Sequence, residues 1–152
     1  MTTYRQALPQ LGEDMFLTDG GIETTLIFHD GFDLPHFASF ILLESDTGLD
    51  ALRKYYSGYL DIASGSRSGF ILETPTWRAN ADWGRKLGYN SEQLDAVNRN
   101  AVDFLGGLRE RYADRSGPVV VGGGVGPRGG GCGGGGEGCA GGAARCGGAG
   151  GR

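Results

Sequence analysis

The sequence predicts an α/β fold with a parallel sheet, and three observations support it. Three apolar runs of strand length, residues 15–18, 69–74 and 119–121, lack polar alternation, which is typical of buried strands. Amphipathic helical patterns separate these runs. Strands that alternate with helices are joined by right-handed crossovers, which place neighbouring strands parallel. The runs start about fifty residues apart, more than the ~30 of a plain crossover, so the connecting loops carry insertions.

The first strand, "MFLT", stops at Asp19-Gly20-Gly21, a tight-turn signal. A short helix follows within "GIETTLIFHDG", and Gly31 is its expected C-terminal stop. Residues 33–46 are predicted as a loop around Pro35, although they contain an apolar patch over residues 37–43.

Two longer helices are predicted from residues that recur at steps of three and four. The first is expected to end at Gly65, and its stripe is Leu49, Leu52, Tyr56, Tyr59 and Ala63. The second has the stripe Leu94, Val97, Ala101, Leu105, Leu108 and Tyr112. Asn90 is a candidate N-cap of the second helix, and Gln93 three residues later resembles a capping box.

The loops after the three strands are the expected location of function, because ligands bind at the carboxyl ends of parallel strands. In "DGGIETT", Asp19 can hold a substrate ammonium and the Gly amides a carboxylate, but Asp-Gly is also an ordinary turn. In "ETPTWRAN", the polar cluster suggests a small-molecule site. The alternative is an extended turn at Pro75 with Trp77 covering the end of the sheet.

Composition excludes several functional classes. The chain has 152 residues and a net charge of −4, and it lacks the basic face that nucleic acid or an anionic membrane would need. We find no signal-peptide pattern and no apolar run near the ~20 residues of a membrane span, so we expect a cytoplasmic protein. The length fits one domain.

Three further patterns are weak as motifs. "GVGPRG" matches a dinucleotide-binding spacing, but no helical pattern follows it. His29 and His36 lack the spacing of a metal pair. Cys132, Cys139 and Cys146, the only cysteines, lie in a Gly-rich tail with six residues between neighbours, a spacing unlike that of common zinc sites.

The chain resembles the homocysteine S-methyltransferase family. The resemblance rests on "FLTDGGIETTLI", "YYSGYLDIA", "GFILETPTWRAN" and "VVVGGGVGPRG", which agree in order and spacing over about residues 16–129. It implies a (β/α)8 TIM barrel in which zinc activates the homocysteine thiol for attack on the methyl group of a second substrate. Residues 1–128 would then be the first three strands and their helices, a partial barrel.

The resemblance also implies roles for individual residues. Asp19 would lie near the amino group of homocysteine, and the backbone of Gly20 and Gly21 near its carboxylate. Thr74, Thr76 and Trp77 would lie in the loop that lines the pocket. The family holds its zinc through three cysteines whose positions Cys132, Cys139 and Cys146 do not match, so we expect this chain to bind no zinc and to be catalytically incompetent.

The tail, residues 129–152, contains only Gly, Ala, Arg, Cys and Glu, which GC-rich codons encode. We expect it to be unstructured and interpret it as a frameshift or truncation product rather than a linker or a metal site. The alternative to a methyltransferase fragment is a non-catalytic α/β module that binds an amino acid and carries a flexible tail. A nucleotide-binding oxidoreductase is a third possibility.

Overall fold

The computed structural model describes residues 7–128, and these form a three-stranded parallel sheet with helices between its strands. The strands are β1 (Phe16–Thr18), β2 (Gly69–Glu73) and β3 (Val119–Gly122), in the spatial order β1-β2-β3. The register pairs Phe16 with Gly69 and Glu73 with Gly122. The carboxyl ends of all three strands therefore lie on the same side of the sheet, as the alternation of strands and helices predicts.

Four α-helices connect the strands, and their bounds largely follow the apolar stripes. They are α1 (Ile22–Phe28), α2 (Asp46–Ser66), α3 (Ala81–Lys86) and α4 (Ser91–Tyr112). The capping box predicted for α4 is confirmed, because Asn90 and Gln93 each bond the other's backbone N–H at 2.9 Å. Every residue of the predicted α4 stripe is buried.

Two local predictions are wrong. Helix α2 passes Gly65, its predicted end, by one residue and ends at Ser66. Its C-cap, Arg67, has a left-handed φ of 52°, and the Arg67 N–H bonds the carbonyls of Ala63 and Ser64. Glycine weakens a helix by about 1 kcal/mol but does not stop one that packs well. The predicted loop over residues 33–46 contains two 3₁₀ helices, Pro35–Phe37 and Ser39–Glu44, and its apolar patch packs into the core.

The core lies between one face of the sheet and helices α2 and α4. Phe70 and Leu72 of β2 are completely buried among helical side chains, whereas Ile71 between them is only half-buried. Within the described residues, helices thus cover one face of the sheet, and the prediction of strands buried on both faces holds only in part. Gly69 allows this packing, since a Cβ there would lie 2.5 Å from the Phe16 ring.

The described residues do not close a barrel: their sheet has three strands, with β1 and β3 at its edges. The tail predicted to be unstructured, residues 129–152, lies outside the described residues, so the domain division at residue 128 stays a prediction. Among the helices of residues 7–128, none combines the length and apolarity needed to cross a membrane.

Candidate functional site

A cavity of about 640 Å³ lies at the carboxyl ends of the three strands. The loops after β1, β2 and β3 all contribute to its wall, as expected for a parallel sheet. The lining residues are Thr18, Asp19, Gly20, Ile22, Glu23, Tyr56, Glu73, Thr74, Pro75, Trp77, Gly123, Gly124 and Val125.

Asp19 is the half-buried carboxylate that follows β1 in this wall. The Tyr55 hydroxyl of α2 lies 2.9 Å from Asp19 Oδ2 and 3.1 Å from the carbonyl oxygen of Gly20, and so fixes the loop. Burial raises the pKa of the Asp19 carboxyl, and the hydrogen bond from Tyr55 opposes that rise only in part. A carboxylate that solvent stabilises poorly gains more from a cationic partner than an exposed one does.

Two other carboxylates share the cavity, so its wall is acidic. Glu23, in the first turn of α1, accepts a hydrogen bond of 2.7 Å from the buried Ser39 hydroxyl. Glu73 ends β2, and its backbone carbonyl accepts a hydrogen bond of 2.8 Å from Tyr56. The negative charges of Glu73 and Glu23 add to the rise in the Asp19 pKa. The arrangement favours a ligand with a positive group.

A closed ring of hydrogen bonds joins the loops after β2 and β3. The Gly124 N–H donates to Thr74 Oγ1 at 2.8 Å, and Thr76 Oγ1 donates to the Gly124 carbonyl at 2.9 Å. The two hydroxyls lie 2.7 Å apart. Because the Thr76 proton is already used, Thr74 is the donor between them. Both hydroxyl protons are therefore committed to the loops and hold the cavity wall in place.

The glycines of "GVGPRG" serve packing in this structure. A Cβ on Gly124 would lie 2.6 Å from the Thr74 carbonyl oxygen, and one on Gly126 would lie 2.1 Å from that of Trp77. In the described part of the chain the segment after β3 is coil rather than the start of a helix. These residues bring the loop after β3 against the loop after β2. A dinucleotide-binding motif requires a helix directly after its glycines, so the segment does not have the structure of such a motif.

Comparison with protein families agrees with this geometry. The model of the family described as homocysteine S-methyltransferase matches residues 16–139. The chain belongs to the homocysteine S-methyltransferase family. The matched segment contains all three strands and all the loops that line the cavity. It extends to residue 139, ten residues beyond the end of the motif resemblance at about residue 129. Searches of curated proteins and of solved structures found no match.

The described residues do not fit the zinc ion that the family resemblance implies. Residues 7–128 contain no cysteine, and within them no three His, Cys, Asp or Glu side chains are grouped so that they would hold a metal. Asp19, Glu23 and Glu73 share the cavity without forming such a group. Cys132, Cys139 and Cys146 lie outside the described residues.

The structure brings most of the predicted site residues of this family member together. Asp19, Gly20, Thr74 and Trp77 line the cavity. The other two support its wall: Gly21 is the N-cap residue of α1, and the buried Thr76 completes the hydrogen-bonded ring.

Sequence reasoning did not single out Glu23, Tyr55 or Tyr56 as parts of the site. Glu23 lies two residues after the Asp19-Gly20-Gly21 turn and resembles an ordinary acid in the first turn of a helix. Tyr55 and Tyr56 belong to an amphipathic helix, where core packing explains them equally well. The run "DGGIE", with a second acid four residues after Asp19, is the one signal that was available for Glu23.

Proposed function

We propose that this chain binds homocysteine, the acceptor in the methyl-transfer reaction of its family, in the cavity at the carboxyl ends of β1–β3, and that residues 7–128 do so without catalysing the transfer. The observation that carries the proposal is the half-buried Asp19 carboxylate at the acidic wall of that cavity. Membership of the homocysteine S-methyltransferase family supports the choice of ligand.

In this proposal Asp19 accepts a charge-assisted hydrogen bond from the amino group of homocysteine. Such a bond contributes about 1.5–3 kcal/mol. Tyr55 holds the Asp19 carboxylate in place, and Glu23 and Glu73 add negative potential around the ammonium. The backbone of Gly20 and Gly21 is assigned to the carboxylate of homocysteine, as the family resemblance implies.

The loop after β2 shapes the rest of the proposed pocket. Thr74 and Thr76 hold it to Gly124, and Trp77 presents a 40 % exposed indole at the cavity. We assign the three strands to the first three positions of the (β/α)8 barrel of the family, because their order and parallel register fit that topology.

In the family reaction the bond between the methyl group and its donor breaks as the methyl group bonds to the sulfur of homocysteine; the demethylated donor leaves, and the thiol proton passes to solvent. The described residues account for binding and orientation of the amino acid end. Because residues 7–128 do not fit zinc, no step of thiol activation is assigned to them.

Calorimetric titration of the purified chain with homocysteine tests the proposal. Asp19→Asn should raise the Kd about tenfold to a hundredfold, since a charge-assisted bond becomes a neutral one. Asp95→Asn is the matched control, because Asp95 is an exposed acid on α4. Binding should also weaken on acidification at a pH above the ordinary range of an aspartate, because the pKa of Asp19 is raised.

Two results would contradict the proposal. One is no binding of homocysteine by the wild-type chain. The other is an equal Kd in the wild type and in Asp19→Asn, with the fold of the variant confirmed by circular dichroism.

A further inference from the structure

An arginine clamped between two indoles lies next to the cavity. The Arg78 guanidinium carbon lies 4.2 Å from the ring centroid of Trp77, which lines the cavity, and 3.8 Å from that of Trp83. Cations over an indole face are stabilised by the ring quadrupole, and arginine in particular stacks flat. The two rings therefore fix the plane of the guanidinium, which leaves its edge for hydrogen bonding.

That edge lacks an acceptor within residues 7–128. Arg78 Nε and the indole Nε1 of Trp83 are both buried without a hydrogen-bond partner there. These two donors have almost no accessible surface, so they show how tightly the stack is enclosed. The two terminal nitrogens of the half-buried Arg78 are not among the enclosed atoms and form no hydrogen bond within residues 7–128, so they are the donors that an acceptor from outside can reach.

The charges around the stack favour an anionic acceptor. Lys86 Nζ lies 4.1 Å from the Trp83 centroid, so two cations flank one ring. Burial lowers the pKa of Arg78, and the negative charge of Glu23 opposes that change only in part. Glu23 forms its hydrogen bond with Ser39 and none with Arg78 within the described residues. A planar guanidinium fork held by two rings matches the two oxygens of a carboxylate.

We propose that Arg78, oriented by Trp77 and Trp83, binds the carboxylate of a zwitterionic substrate whose cationic end faces the acidic wall. The assignment rests on the proposed function, which places an amino acid in this cavity. Two substrates of the reaction offer that chemistry: homocysteine, and a methyl donor that carries both an onium group and a carboxylate. If Gly20 and Gly21 hold the homocysteine carboxylate, Arg78 is free for that of the donor.

The two tryptophans give a direct optical probe, because Trp77 and Trp83 are the only tryptophans in the chain. Their fluorescence reports on the Arg78 stack, and calorimetry supplies an independent Kd. The homocysteine series is homocysteine, 4-mercaptobutanoate, which lacks the amino group, and 3-aminopropane-1-thiol, which lacks the carboxylate. The donor series compares trimethylglycine with tetramethylammonium.

We expect the wild type to bind the carboxylated member of at least one series about tenfold to a hundredfold more tightly than the member without a carboxylate. Arg78→Gln should remove that preference in the series whose carboxylate Arg78 binds and leave the Kd of the carboxylate-free ligand unchanged. Arg78→Lys, which keeps the charge without the fork, should retain part of it. Arg85→Gln, at an exposed arginine on α3, is the matched control and should change nothing.

The series whose carboxylate preference falls in Arg78→Gln identifies the substrate whose carboxylate Arg78 binds. Equal binding with and without a carboxylate in both series would overturn the assignment, and so would a preference that Arg78→Gln leaves unchanged in both series. If Arg78→Gln does not fold, Arg78→Lys decides, because a preference equal to that of the wild type in both series would overturn the assignment. Failure of homocysteine and 3-aminopropane-1-thiol to respond to Asp19→Asn would instead contradict the proposed function.

Discussion

Removing one hydroxyl group from the hydrogen-bonded ring that joins the loops after β2 and β3 should lower the stability of the protein by several kcal/mol, although the change replaces only one small group. Thr74→Val keeps the shape of the side chain but deletes two hydrogen bonds, those with the Gly124 N–H and with Thr76 Oγ1. Each bond contributes about 0.5–1.5 kcal/mol, and the stranded Gly124 donor costs about 1–3 kcal/mol. Partial compensation by the added methyl leaves an expected loss of about 2–4 kcal/mol.

Thr74→Ser is the matched control, because it keeps the hydroxyl and removes only a buried methyl group. It should cost about 1 kcal/mol. Thr76→Val also breaks two bonds, and the bond between the hydroxyls is counted in both single variants. The double variant should therefore lose about 1 kcal/mol less than the sum of the single losses.

Urea unfolding followed by circular dichroism measures these differences, and amide hydrogen exchange locates them. The Gly124 amide should exchange faster in Thr74→Val and remain protected in Thr74→Ser. Equal stability of Thr74→Val and Thr74→Ser, or equal exchange at Gly124 in both, would contradict the role of the Thr74 hydroxyl in the ring. Strict additivity in the double variant would show that the three groups do not act as a ring.

Three other predictions concern stability. Burial raises the pKa of Asp19, so its charged form opposes folding. The unfolding free energy is therefore highest at pH values below the Asp19 pKa of the unfolded chain, and it falls as pH rises through the Asp19 pKa of the folded chain. In thermal melts, Asp19→Asn should be more stable than the wild type at neutral pH but not at pH 3. Gly48→Ala places a Cβ 2.2 Å from the Leu42 carbonyl oxygen and should cost about 1–3 kcal/mol in urea unfolding, whereas Gly58→Ala in the same helix meets nothing within 4 Å and should gain about 0.5–1 kcal/mol. Asn90→Ala breaks the capping box of α4 and should lower the unfolding free energy by about 1 kcal/mol, with no loss as the contradicting result.

The first and third of these predictions separate function from stability. A residue retained for ligand binding at a cost in folding energy shows opposite effects in the two assays, as expected for Asp19. A residue retained for the helix alone, such as Asn90, changes the unfolding free energy and leaves homocysteine binding unchanged.

Much of the fold could be predicted because its signals are local. The stripe of α4 and the pair Asn90 and Gln93 depend on spacings of three and four residues, and the structure agrees with them. Residues 33–46 show the limit of that reasoning, since the predicted loop contains two 3₁₀ helices and its apolar patch packs into the core. The family was predicted from short motifs that agree in order and spacing, and the match to the family model confirmed it.

The sequence by itself determined that strands and helices alternate, where the longer helices lie, and that Asp19 follows the first strand. Only the tertiary structure decided that Thr74 and Thr76 bond Gly124, about fifty residues away, because that depends on the register that pairs Glu73 with Gly122. The same holds for the acidic wall and for Arg78 between its two indoles. Hydrogen bonds and charge interactions between distant segments act over a few ångströms, so they exist only once packing has set the positions of the strands and loops.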